Sequence, residues 1–145
     1  MGDALSLVIE QNKNKIIEAL YLDKNLSSAQ LLILLSQDYK EIISMLMDLI
    51  HEGLVARKAI DSKIVHYLTK KGLYKYIYEN KPNYIKNCFE CFYGYNVNYT
   101  YVEEFLMDKF YYLYLNDENL DLNTIVDDYS NYALEKGYIK RRLKK

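Results

Sequence analysis

The chain is sparing with the residues that build special-purpose scaffolds: one proline, five glycines, two cysteines and two histidines in 145 residues. Two cysteines, Cys88 and Cys91, cannot form a disulfide framework, which fits a reducing compartment. The histidines, His51 and His66, lie far apart, and neither has a nucleophile or carboxylate at a catalytic spacing. No apolar run approaches the roughly 20 residues of a membrane helix, and the first residues lack the basic-then-apolar layout of a secretory signal. P-loop, dinucleotide-binding and HExxH patterns are missing as well. The expectation is a cytoplasmic protein that is not an enzyme, with no cofactor, no metal and no membrane partner.

What is present is enough apolar material for a real core, half of all residues. The net charge of −1 hides an uneven distribution. Residues 1–12 carry −2, and residues 13–81 carry 11 Lys or Arg against 8 Asp or Glu. Residues 82–138 carry 3 against 10, and residues 139–145 are purely basic with 5 cations. A basic segment, an acidic one and a basic tail suggest different partners for different parts.

The most legible stretch is Gly53–Gly72. Two short runs, Leu54–Ile60 and Ile64–Leu68, flank Asp61 and Ser62 and read as a β-hairpin. Gly53 stands where a helix needs a left-handed residue to stop, and Thr69 stands where the next helix needs an N-cap. Upstream, Asp3–Asn12 reads as a lead helix or as an arm packing on a second chain. Asn14 is expected to cap a helix over Lys15–Asp23, ended by Asn25. Ser27 or Ser28 caps a second over Ala29–Leu35, whose five consecutive apolar residues, Leu31–Leu35, demand cover on most sides. Ser36, Gln37 and Asp38 form a turn; Asp38 and Glu41 read as a capping-box-like pair opening a third helix over Tyr39–Glu52.

Two helices joined by a three-residue polar turn, with a hairpin after the second, have the layout in which the second helix enters the DNA major groove. Leu26–Gly72 resembles the DNA-binding domain of winged-helix regulators of the MarR, PadR and ArsR kind. The resemblance is carried by the capped helix start at Leu26–Ser27, the helix end His51-Glu52-Gly53-Leu54-Val55, the wing with Arg57, Asp61 and Lys63, and the exit Tyr67–Gly72. It implies a mainly α fold with a small β-hairpin: a winged helix-turn-helix over 13–81 plus a C-terminal aromatic-rich helical extension. It further implies a homodimeric, site-specific binder of double-stranded DNA acting in transcription regulation, with an appendage that in such families also forms a pocket for a small-molecule effector.

On the residues themselves, the outward face of the third helix carries Lys40, Glu41, Ile43, Ser44, Met47 and Asp48, and the expected base-reading set is Tyr39, Lys40, Ile43, Ser44 and Met47. That face has no Arg, Asn or Gln, the side chains that read base edges bidentately. Ile43, Ser44 and Met47 suit thymine methyls or, equally, a groove on a protein. Arg57, Lys58, Lys63, Lys70 and Lys71 are the expected phosphate contacts. The alternative is therefore a winged-helix protein-interaction module.

A fourth helix over Lys70–Glu79 is expected to stop at Asn80-Lys81-Pro82, the predicted domain boundary. Beyond it lie 11 of the 17 tyrosines and all four phenylalanines. Helices are expected over Tyr84–Tyr93, closed by Gly94, over Tyr101–Leu115 from a Thr100 cap, and from Asn123 or Thr124 to Gly137. Phe105, Phe110, Leu113 and Tyr114 are assigned to a dimer interface. Cys88 and Cys91 read as small buried hydrophobes, or as two ligands that a dimer would pool around a metal. Lys140, Arg141 and Arg142 form an accessory tail that reaches DNA, binds an acidic partner or keeps the end soluble.

Overall fold

A computed structural model of the chain describes residues 2–92, 97–119 and 121–140. The fold is mainly helical with one two-stranded antiparallel hairpin. In order come α1 (Gly2–Asp23), α2 (Ser28–Leu35), α3 (Tyr39–His51), β1 (Val55–Ile60), β2 (Lys63–Leu68), α4 (Lys70–Asn80), α5 (Pro82–Glu90), α6 (Tyr99–Leu115) and α7 (Leu122–Lys136). Two compact units divide the chain, Met1–Tyr76 and Ile77–Lys145, and the division falls within α4. Among the described residues no helix is long and apolar enough to cross a membrane.

The first unit is built on local signals. Asp61 and Ser62 both have positive φ, 50° and 67°, the two-residue turn whose twist matches that of the flanking strands. It sets the register from Val55 opposite Leu68 to Ile60 opposite Lys63. Leu26 adds a single bridge to the hairpin's edge: its N–H donates to the His66 carbonyl at 3.1 Å and its own carbonyl accepts from the His66 N–H at 2.7 Å. Gly53, with φ of 79°, turns α3 into the hairpin. Thr69 then closes the loop, since its hydroxyl donates to the Gly53 carbonyl at 2.6 Å and accepts from the Gly72 N–H at 3.0 Å. Gly72 is needed because any Cβ there would collide with the Leu54 carbonyl. The core of this unit is Ile16, Ile17 and Leu20 of α1, Leu31 of α2, Ile42, Leu46 and Leu49 of α3, and Leu54, Val55, Leu68 and Leu73.

Several expectations for this unit are corrected. Residues 2–23 form one helix, with no break at Asn14, which is an exposed mid-helix residue. Nothing between Asp3 and Asp23 is glycine or proline, so no residue there forces the ladder to stop. The capping box sits at α2: Ser27 accepts from the Gln30 N–H at 3.2 Å while the Gln30 side chain accepts from the Ser27 N–H at 2.9 Å. Asp38 flanks α3 without a side-chain cap bond, so the Asp38–Glu41 pair is not formed. Nor is α2 covered on most sides. Leu31 alone is fully buried, and Ile33 and Leu34 are 78% and 55% exposed.

The second unit packs α5, α6 and α7 around Ile85, Cys88, Phe92, Val102, Leu106, Phe110, Ile125, Val126 and Tyr129. Pro82 occupies the first turn of α5, where its missing N–H costs nothing. The ends expected at Tyr93 and Gly94 lie outside the described residues. Asn98 rather than Thr100 caps α6, accepting from the Thr100 N–H at 2.9 Å. Asp121 caps α7, accepting from the Asn123 N–H at 3.1 Å, and Gly137 ends it with φ of 76°.

Candidate nucleic-acid interface

The residues expected to meet DNA lie on three pieces of the first unit: α3, the hairpin and the start of α4. Helix α3 is amphipathic. Ile42, Met45, Leu46 and Leu49 are buried, and the opposite side presents the expected reading set. Tyr39, Lys40, Ser44 and Met47 are exposed, while Ile43 is half-buried.

The two carboxylates on the side of α3 facing α1 are held by a lysine that sequence reasoning passed over. Lys13 Nζ sits 3.2 Å from Glu52 Oε1 and 3.5 Å from Asp48 Oδ2, with only 11% of its side chain exposed. Burial works against its charge, but the Glu52 hydrogen bond and the charges of Glu52, Asp48 and Glu10 outweigh that and raise its pKa. The acidic part of α3 is thereby tied to α1 and partly neutralised. The faint sequence signal was the spacing: Asp48 and Glu52 are one turn apart, so a single cation can reach both.

On the hairpin, Arg57, Lys58 and Lys63 are exposed. The Lys58 ammonium lies 4.8 Å from the centre of the Tyr67 ring, a cation–π contact that holds it against the sheet. Lys70 and Lys71 are exposed at the start of α4. Lys71 Nζ donates to the Glu52 carbonyl at 3.0 Å, a favourable place for a cation because helix C-termini carry partial negative charge. Beneath Arg57, its cross-strand partner His66 is buried, and its ring Nδ1 lies 3.2 Å from the Leu26 carbonyl. That contact makes Nδ1 the protonated nitrogen of the neutral ring. Burial, with help from the Arg57 charge and against the Leu26 contact, lowers the His66 pKa.

The remaining expected residues lie in the second unit. Phe110 and Leu113, assigned to a dimer interface, are 0% and 4% exposed. They are buried in their own unit, which corrects that assignment. Phe105 is half-buried, its ring 5.2 Å from that of Tyr129 and 5.3 Å from that of Tyr132; Tyr114 is half-buried beside Tyr111. Cys88 is buried, and its thiol is pushed up to about 11 first by that burial. Cys91 is half-buried and raised by burial and then by Glu90. Neither thiol is poised as a thiolate nucleophile. Among the described residues no group of three His, Cys, Asp or Glu could hold a metal ion. Lys140 is exposed, and Arg141 and Arg142 lie outside the described residues.

No family model matches this chain. No curated protein matches it either. The functional reading therefore rests on the chain's own residues.

Proposed function

We propose that the first unit is a winged helix-turn-helix that binds double-stranded DNA, α3 serving as the reading helix and the β1–β2 hairpin as the wing, in the service of transcription regulation. The observation that carries this reading is the division of charge. The cations Arg57, Lys58, Lys63, Lys70 and Lys71 are displayed on the hairpin and at the start of α4, while Asp48 of α3 and Glu52 at its C-terminal end share Lys13 and Glu41 alone of the α3 acids stays exposed without it. A polyanion then meets cations on the wing, and the acid charge at the far end of the reading helix is offset in part by Lys13. Base contact falls to Tyr39, Lys40, Ile43, Ser44 and Met47, a set richer in methyl-bearing and apolar groups than in bidentate donors, which suits thymine-rich sites. Two such units on a homodimer would read a pseudo-palindromic site.

The test is fluorescence anisotropy of the full chain with a pool of labelled duplexes over a range of salt. The expected result is a log–log salt slope of several units, reduced by about 5 for the homodimer when Arg57, Lys58 and Lys63 are all changed to alanine. Absence of binding at low salt would overturn the reading. A second reading, a protein-interaction module, is favoured by Leu22, Ile33 and Leu34, which are 68%, 78% and 55% exposed on the same unit. On that reading the triple alanine variant retains its protein partner.

A further inference from the structure

The C-terminal end of α3 is closed from outside the helix. A helix leaves its last carbonyls without intrahelical partners. The chain's own turn meets three of them: the Glu52, Gly53 and Leu54 N–H groups donate to the carbonyls of Asp48, Ile50 and Leu49 at 2.9, 3.0 and 3.0 Å. The carbonyls of Glu52 and Gly53 are met by side chains from the wing's exit, the Lys71 ammonium at 3.0 Å and the Thr69 hydroxyl at 2.6 Å. The Lys71 stem runs beside Gly53, where a Cβ would lie 4.0 Å from Lys71 Cδ. Glu52 is thus held from two sides, its carboxylate by Lys13 of α1 and its carbonyl by Lys71 of α4.

That joint lies at the root of a lever. From Arg57 to Ile64 every residue of the hairpin is exposed, so nothing in the outer half of the wing is anchored in the core. Six residues of strand span about 20 Å, and a swing of about 10° at the root moves the tip by about 3 Å, the length of a hydrogen bond. Arg57, Lys58 and Lys63 ride on that lever, whereas Lys40, Ser44 and Met47 ride on α3, which its own buried face fixes in place. Cations attract a duplex in many poses. Base contact and phosphate contact are made together only when wing and helix stand at one angle. The Lys71 ammonium already has an acceptor, at a helix end that carries partial negative charge, and leaving it for a phosphate would uncap α3.

We infer that Lys71 is a positioning residue for the DNA reading proposed above, on which its role in recognition rests. Its bond to the Glu52 carbonyl locks the root of the wing to the end of the reading helix, and it touches no phosphate. The other cations bring the protein to DNA, and this lock governs how well one sequence is told from another.

The test compares the parent, Lys71→Met and Lys71→Arg as full chains, by anisotropy against a duplex selected from the pool and a scrambled duplex of the same composition. Lys71→Met is expected to bind the scrambled duplex within about twofold of the parent and the selected one about three- to tenfold more weakly, with the salt slope unchanged. Lys71→Arg, which keeps a donor within reach of the carbonyl, should restore the discrimination. A slope lower by about 2 in the homodimer, with both duplexes weakened alike, would make Lys71 a phosphate contact and overturn the inference. Parental discrimination in Lys71→Met, or a parent that binds both duplexes alike, would overturn it too. Lys71→Gln takes the place of Lys71→Met if that variant fails to fold. Without DNA, amide hydrogen exchange at Leu54 and Thr69, whose N–H groups donate across the joint at 3.0 and 3.1 Å, should quicken several-fold in Lys71→Met with no change at Leu46 in mid-helix. Unchanged exchange would overturn the lock. A parent that binds neither duplex would count against the DNA reading, and the exchange rates would still decide the lock.

Discussion

Lys13 shows how much one side chain can settle. It joins α1 to the far end of α3 across 39 positions of sequence, and its partners are about half exposed, so water takes back part of what the pair contributes. Lys13→Ala is expected to cost about 1–2 kcal/mol in urea unfolding. The same substitution leaves Asp48 and Glu52 uncompensated beside the proposed reading face and, on the DNA reading proposed above, should also weaken duplex binding. Lys13→Arg should recover the binding more fully than the stability, because it keeps the charge but has to fit a larger head into a buried site. His66 gives the pH dependence. Its pKa is lowered in the fold, so above about 6.5 the ring is neutral whether folded or unfolded and contributes nothing to the pH slope. As pH falls through that value the unfolded chain takes up the proton first, and stability drops. Thermal unfolding between about pH 7.5 and pH 5.5 should show a fall that His66→Asn reduces. Gly72→Ala sets a Cβ on the Leu54 carbonyl and is expected to cost at least about 2 kcal/mol by the same unfolding measurement.

Among the elements, the two helix starts on either side of the Ser36–Asp38 turn make a contrasting pair. Ser27 makes a reciprocal cap with Gln30, whereas Asp38 makes no side-chain cap bond. Ser27→Ala should therefore cost about 1 kcal/mol, and Asp38→Ala close to nothing, in parallel denaturant titrations. The hairpin was the element best read from sequence, because everything that defines it is local. Asp61 and Ser62 form the turn, Gly53 adopts its positive φ, and Thr69 caps the helix that follows. Features that depend on distant partners were harder to read. The Leu31–Leu35 run announces an apolar helix but not that α3 and α1 cover one side of it. Likewise the helical spacing of Phe105, Phe110 and Leu113 puts them near one face and is silent on whether α7 or a second protomer covers it. Lys13 was illegible because α1 also carries Lys15, and nothing local marks which of the two lysines meets carboxylates on α3. For the candidate site, exposure of the wing cations was legible from their place on a hairpin, while the partly compensated acids and a groove beside α3 exist only once α1 is folded against α3.

For the whole molecule, the line between the two units passes between Tyr76 and Ile77, inside α4, and that helix continues to Asn80 before the Lys81 N–H donates to the Ile77 carbonyl at 2.8 Å. A fragment cut at that line would strand the carbonyls of a broken helix, so an expressible N-terminal piece has to carry α4 to its end.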